Sequence, residues 1–314
     1  MSNSDSIQPL VSVALCTYNG EKFLRSQIDS ITAQTYPNLE IIIIDDASSD
    51  STSSILEEYS RKDSRVKYHI NSANIGYNKN FEKAFSLASA DYIAISDQDD
   101  IWESNKIELM MKDWLQGSLF TYSLSGNFFS DDFKNREQAR PVKYRTITQL
   151  HQLVFNSPVH GHASIFKKEL LPYCIPFPAD IYYDWWMSMQ AVKIAPVGCI
   201  PLTLTWHRVH KTNSSRSIQS CDIDNKERNR LLRDQFIYGI ETFFRKLPAT
   251  SEDEKFLVSY TELLKKMDGK RFSPAMFLYI MKHRRKIFHY KKNKPFLFMS
   301  HFKHALRMAR TGVL

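Results

Sequence analysis

The chain has 314 residues, 43% hydrophobic and 24% charged, which supplies a sizeable buried core and excludes a disordered or collagen-like polymer. Its longest apolar runs, such as 41–44 and 275–281, fall far short of the roughly 20 residues that a bilayer-spanning helix needs. The formal net charge of +8 is unevenly placed: residues 265–314 hold 14 Lys and Arg against one acidic residue, Asp268, and the remainder is mildly acidic.

In chain order, residues 1–9 contain neither a basic residue nor an apolar stretch, so no secretory signal is expected. Val11-Ser-Val-Ala-Leu15 and Leu39-Glu-Ile-Ile-Ile-Ile44 are short apolar runs bounded by turn residues, the pattern of strands buried on both faces. Between them, Glu21 to Ala33 carries Phe23, Leu24, Ile28 and Ile31 at helical spacing, which completes a βαβ unit. Asp50-Ser-Thr52 precedes a predicted helix over 53–59. Val66 to Ile70 then reads as a strand, Asn78 to Leu87 as a helix, and Tyr92-Ile-Ala-Ile-Ser96 as a strand. This alternation predicts an α/β fold with a Rossmann-like, mostly parallel sheet, whose ligands sit beyond the carboxyl ends of the strands. From about 118 to 220 the pattern is irregular and rich in aromatic, His and Pro residues, suited to mixed strands and ligand-binding loops. Beyond about 225 almost only helical signals remain. The expected domains are therefore 1–225, α/β, and 226–314, basic and helical. Cys16, Cys174, Cys199 and Cys221 show no metal-type spacing and read as reduced thiols of a cytoplasmic protein.

Three polar clusters fall at the predicted strand ends. Thr17-Tyr-Asn-Gly20 would face a cleft where a phosphate or nucleobase could lie, although a plain turn closed by Asn-Gly accounts for the same residues. Of Asp45 and Asp46 only one can point into that cleft, because strand side chains alternate. Such a carboxylate can accept the imide N–H of uracil or thymine. Helix capping by Asp50 or Ser48 would need neither. In Asp97-Gln-Asp-Asp100, an extended backbone would direct Asp97 and Asp99 to one side as hard oxygen ligands for Mg²⁺ or Mn²⁺, while solvation on a surface loop would also relieve their repulsion.

Four segments carry a resemblance: Val11-Ser-Val-Ala-Leu-Cys-Thr-Tyr-Asn-Gly20, Ile44-Asp-Asp-Ala-Ser-Ser-Asp-Ser-Thr52, Asn74-Ile-Gly-Tyr-Asn-Lys-Asn-Phe81 and Ser96-Asp-Gln-Asp-Asp-Ile-Trp102. In this order they resemble the signature segments of family 2 glycosyltransferases, enzymes of the GT-A fold, and most closely the branch with a DQDDIW loop that includes bacterial rhamnosyltransferases. The resemblance covers about residues 10–215. It implies that Thr17, Tyr18, Asn19 and Asp46 contact the nucleotide. Asp97 would be the first carboxylate of the metal motif, and Asp99 the direct ligand of Mn²⁺ or Mg²⁺ on the donor diphosphate. Lys79 stands where a basic side chain could reach that diphosphate.

Further along, Tyr182-Tyr-Asp-Trp-Trp-Met187 resembles the family's HDWW segment, which implies that Asp184 is the catalytic base. On the residues alone, Asp184 reads first as the cap of a helix whose tryptophans belong to the core. Trp206-His-Arg-Val-His-Lys-Thr-Asn213 resembles the YRQHxxN segment. His210 keeps the motif's His, with a contact to the diphosphate or the metal implied, whereas His207 and Arg208 depart from the pattern and Tyr183 replaces a usual His. Their roles, and those of His160 and His162, stay open at this level. The implied activity is an inverting, metal-dependent transfer from a UDP- or dTDP-sugar, dTDP-rhamnose among them, to a hydroxyl of a cell-surface polysaccharide or lipid-linked saccharide. A scaffold that kept the fold and lost the chemistry is the other reading of the same cleft.

The tail mixes aromatic and aliphatic residues with Lys and Arg, as helices lying on an anionic membrane surface do. Peripheral attachment of a cytoplasmic protein to the inner face of the membrane is expected. A solvated basic rim or nucleic-acid binding are the competing readings, and no nucleic-acid partner is expected.

Overall fold

The computed structural model describes residues 8–129, 133–138, 145–210, 224–267, 272–291 and 297–313. Two compact units emerge: Met1–Arg140 with Val159–Phe177 and Tyr182–Val209, and Pro141–Pro158 with Pro178–Ile181 and His210–Leu314.

In the first unit β1 (Val11–Thr17), β2 (Leu39–Asp45), β3 (Val66–Ile70), β4 (Tyr92–Ser96), β5 (Ile101–Trp102), β6 (Phe120–Phe129), β7 (Ser164–Lys167) and β8 (Gly198–Val209) form one sheet. Their order is β3-β2-β1-β4-β7-β6-β8-β5. Pairings from β3 to β4 are parallel, β7 runs antiparallel to β4 and β6, and β6 pairs in parallel with β8. Helices α1 (Leu24–Thr32), α2 (Thr52–Lys62), α3 (Tyr77–Leu87) and α4 (Lys106–Lys112) alternate with the first strands. They are followed by α5 (His151–Val154) of the second unit, then by α6 (Leu171–Cys174) and α7 (Tyr183–Ile194) of the first.

The reason for this layout is the apolar character of β1 and β2, which are buried along their whole length. Leu24, Ile28 and Ile31 of α1 and Ile55 and Leu56 of α2 close over Val11, Val13, Leu15, Ile41 and Ile43. Each such fully buried aliphatic side chain stabilises by roughly 1.5–3 kcal/mol. Phe23, expected on the inward face of α1, instead precedes the helix. The inward face includes Gln27, whose amide donates to Ser96 Oγ (2.7 Å) at the end of β4.

The second unit is helical: α8 (Asn225–Lys246), α9 (Glu252–Lys265), α10 (Pro274–Lys282), α11 (Arg284–Ile287) and α12 (Leu297–Thr311). Its helices start at side-chain caps. Asp224 accepts the Glu227 N–H, Ser251 and Glu254 form a reciprocal capping box, and Ser273 precedes Pro274 at the first helical position. An aromatic core of Phe155, Phe256 and Tyr260 joins α5 to α9, with Phe155 edge-on to Tyr260 at 5.0 Å. Among the described residues no helix is long and apolar enough to cross a membrane.

Candidate active site

The parallel strands leave β1 in two directions, to β2 on one side and β4 on the other, and the crevice at such a reversal is where open α/β sheets bind ligands. The loops that leave β1, β2 and β4 all meet there. Gln98 ties the first to the third: its Oε1 accepts Thr17 Oγ1–H (2.7 Å) and Tyr18 N–H (2.8 Å), and its Nε2 donates to the Tyr18 carbonyl (3.2 Å). Gly20 is needed at this knot, since a Cβ would stand 2.6 Å from both Gln98 Oε1 and Thr17 Oγ1. Asn19, in the left-handed region at φ 48°, ties the first loop to the second: its N–H donates to Ser48 Oγ (2.8 Å) and its Oδ1 accepts Ser49 N–H (2.9 Å). With Thr17 and Asn19 engaged in this way, the Tyr18 ring, 48% exposed, is the side chain left at the mouth.

Asp46 is buried, and its carboxylate accepts three donors: Asn71 Nδ2 (2.8 Å), Ile75 N–H (2.9 Å) and Gly76 N–H (2.9 Å). It thereby holds the Asn74–Gly76 segment against the cleft. Asp45 binds Ser48 instead, through both its N–H and its hydroxyl. Lys79 is exposed on α3. The basic side chain that reaches inward on that helix is Lys83, which donates to Asn71 Oδ1 (2.7 Å).

The third loop differs from its expected geometry. The strand ends at Ser96 and residues 97–100 bend, so the extended spacing that would align Asp97 with Asp99 is absent. The fully buried carboxylate is Asp100. Its Oδ1 lies 3.0 Å from His207 Nδ1 and accepts Arg208 N–H (3.2 Å), and its Oδ2 lies 3.5 Å from His162 Nδ1. His162 Nδ1 also stands 3.4 Å from Asp97 Oδ2, and its Nε2 is 2.9 Å from Ser125 Oγ. The rings of His160, His162 and His207 stack nearly parallel, with centroids 5.5 and 5.1 Å apart. Burial opposes the charge on Asp100, but His162 and the His207 hydrogen bond outweigh it and hold the carboxyl down at about 2. His207 is likewise pushed up to about 9: burial alone would lower it, and its bond to Asp100 and the charges of Asp99 and Asp97 prevail. Asp99 turns its backbone carbonyl to Arg208 Nε (2.9 Å). His210 directly follows β8, half-buried, and belongs to the second unit.

The buried, acidic side of this loop is lined by two basic side chains that the sequence alone does not single out for this role, Arg208 and Lys106, the latter with its pKa pushed well down by burial. Arg208 is buried between the rings of Phe23 and Phe128, 4.4 and 4.5 Å from its guanidinium carbon, and so pins the carboxylate loop to the sheet. Lys106 is fully buried, donates to the His162 carbonyl (2.7 Å) and lies 3.5 Å above the Trp102 ring.

On the opposite wall, Asp184 occupies the first turn of α7. Its Oδ2 accepts Gly161 N–H (3.0 Å) and its Oδ1 accepts Trp185 N–H (2.7 Å). Desolvation raises its pKa above the ordinary carboxylate range, these two bonds and His162 oppose the rise, and the charge of Asp97 adds to it. Gly161 is required for this contact, because a Cβ would come 2.3 Å from the Tyr183 hydroxyl. Tyr183, in place of the usual His, is core: its ring packs on Phe81 at 4.4 Å.

One nitrogen from each of His162 and His207 and one oxygen of Asp100 lie within 4.8 Å of one another. Asp100 Oδ2 is buried with no hydrogen-bond partner. The His162 ion pair at 3.5 Å offsets its charge, and two imidazole nitrogens grouped with a carboxylate oxygen are a donor set that a divalent cation accepts.

The fold matches solved GT-A transferases. S. aureus TarS residues 1–349 in complex with UDP-GlcNAc superimposes with a TM-score of 0.58 at 16% identity, over 95% of this chain and 82% of that one. The Pyrobaculum calidifontis mannosyltransferase PcManGT, in complex with GDP-Man and Mn²⁺, gives 0.56 at 17% identity, over 97% and 86%. In sequence, the Escherichia coli UDP-Glc:alpha-D-GlcNAc-diphosphoundecaprenol beta-1,3-glucosyltransferase WfgD is 32% identical over 193 residues, 60% of this chain and 74% of that protein. An uncharacterized glycosyltransferase of Haemophilus influenzae is 29% identical over 230 residues, 66% and 68%. Residues 12–173, which run from β1 through the carboxylate loop and His160 and His162 to α6, match the family described as Glycosyl transferase family 2, and this chain belongs to that family.

Proposed function

We propose that this glycosyltransferase moves a sugar, with inversion, from a UDP- or dTDP-sugar, dTDP-rhamnose included, to a hydroxyl of a growing cell-surface polysaccharide or lipid-linked saccharide. The observation that carries the proposal is Asp184: a carboxylate with a raised pKa, held at the cleft by Gly161 and facing the charge of Asp97. A carboxylate shifted upward is a better general base for a sugar hydroxyl than an ordinary one. WfgD, whose name specifies a UDP-linked donor and a diphosphoundecaprenol-linked acceptor, supports the donor class and the lipid-linked acceptor.

In this reading the exposed Tyr18 ring stacks on the base, Thr17, Asn19 and Asp46 shape the pocket around it, and Lys79 attends the diphosphate. Asp100, His162 and His207 would hold the cation, flanked by Asp97 and Asp99. A mixed carboxylate and imidazole set suits Mn²⁺ better than Mg²⁺. The bound ion supplies positive charge that offsets the charge developing on the departing diphosphate. Asp184 takes the acceptor's hydroxyl proton while the acceptor oxygen forms its bond to the anomeric carbon. The bond to the diphosphate oxygen breaks and its electron pair leaves with the nucleoside diphosphate. Attack from the face opposite the leaving group inverts the anomeric centre.

Thermal-shift screening of UDP-, dTDP- and GDP-sugars with Mn²⁺ identifies the donor, and proton NMR of the glycosylated product reads its anomeric configuration. An inverted product is expected. A retained configuration would contradict direct displacement with Asp184 as base.

A further inference from the structure

The last helices of the second unit expose an apolar patch. Leu278 on α10 is 66% exposed, and on α12 Phe298 and Met299 are 55% and 61% exposed, with Phe302 beside them. Phe298, Met299 and Phe302 are exposed on the first turns of α12, with Phe298 and Phe302 at the margin of the face that buries His301, Ala305, Met308 and Ala309. Phe302 packs edge-on to Phe277 of α10 at 5.3 Å, which makes the apolar surfaces of the two helices continuous. Large side chains exposed together in this way mark an interaction surface.

The rim of the patch is basic. The Arg284 guanidinium lies 5.7 Å above the Phe298 ring, and Lys282, Arg285, Lys303, Arg307 and Arg310 are exposed on the same three helices, α10, α11 and α12. Over residues 265–314 the 14 Lys and Arg face a single acidic residue. Charge of one sign around apolar side chains complements an anionic bilayer surface, where both are satisfied at once. A polyanion such as nucleic acid would satisfy the charge but offers Leu278 and Met299 no apolar phase.

We propose that α10 and α12 seat the protein on anionic lipid, with Leu278, Phe298, Met299 and Phe302 at the acyl boundary and Lys282, Arg284, Arg285 and Lys303 among the headgroups. The proposal builds on the lipid-linked acceptor argued above and assigns the surface that meets its membrane. Each basic residue near an anionic surface changes partitioning about fivefold.

The test is cosedimentation of the full chain with vesicles of phosphatidylcholine, alone or mixed with phosphatidylglycerol, at low and high salt. Binding is expected to the mixed vesicles and to weaken with salt. Phe298→Ser with Met299→Ser, and separately Arg285→Glu with Lys303→Glu, should each lower partitioning at least about tenfold, with the melting temperature and donor hydrolysis in solution unchanged. Equal binding to neutral vesicles, indifference to both variants, or displacement from vesicles by duplex DNA at matched salt would overturn the proposal. A chain that binds mixed vesicles but hydrolyses no donor keeps this surface and loses the proposed activity. One that hydrolyses donor but ignores the vesicles does the reverse.

Discussion

Asp100 is the residue on which the carboxylate loop turns. It is fully buried, engaged by two histidines, and carries an oxygen with no hydrogen-bond partner. Asp100→Asn keeps its volume and removes the charge, so Mn²⁺ affinity measured by calorimetry should fall at least about tenfold, whereas Lys79→Ala, on an exposed helix face, should leave it unchanged. The motif Asp97-Gln-Asp-Asp100 stood out as a candidate cation site because three carboxylates in four residues repel unless compensated. Which carboxylate is fully buried and meets the histidines was not legible, since it depends on the bend after Ser96 and on His162 and His207, brought in by segments remote in sequence. Gln98 was hidden for the same reason. Its amide is informative only once Thr17 and Tyr18 are seen across the crevice.

Among the elements, β1 to β4 and the helices between them were readable because continuous apolar runs and a 3.6-residue period survive in any context. The parallel pairing of β6 with β8 was not, since β8 contains Pro201 and alternates poorly, and its register shifts around Leu124. In the second unit, Asp253 near the start of α9 joins three helices: its Oδ1 lies 2.8 Å from His151 Nδ1 of α5 and 3.1 Å from Lys286 Nζ of α11. Burial raises its pKa, but the bonds to His151 and Lys286 outweigh this and hold it below the ordinary value. A carboxyl depressed in the folded state stabilises above the unfolded value of about 3.9 and loses that contribution as pH falls through the lower folded value. Urea unfolding should therefore show Asp253→Asn destabilised by about 1.5–3 kcal/mol near neutral pH, with the gap to wild type closing in acid. A gap independent of pH would assign the loss to packing instead.

For the molecule as a whole, the charge distribution is the feature that sequence and structure describe in common. The first unit places its carboxylates at the reversal point of a GT-A sheet, as the strand pattern implied, and the basic excess belongs to helices of the second. The two units interleave along the chain, with Pro141–Pro158 and Pro178–Ile181 assigned to the second, which no linker composition announces. The expectation at 268–271 and 292–296 lies outside the described residues. The central claim is that Asp184 is the base of a sugar transfer from a nucleotide diphosphate donor. Its most direct test is nucleoside diphosphate release from the identified donor with Mn²⁺ and acceptor, comparing wild type with Asp184→Asn. The account predicts a loss of about 10²–10⁴-fold with donor affinity unchanged. Release by Asp184→Asn at the wild-type rate would contradict it.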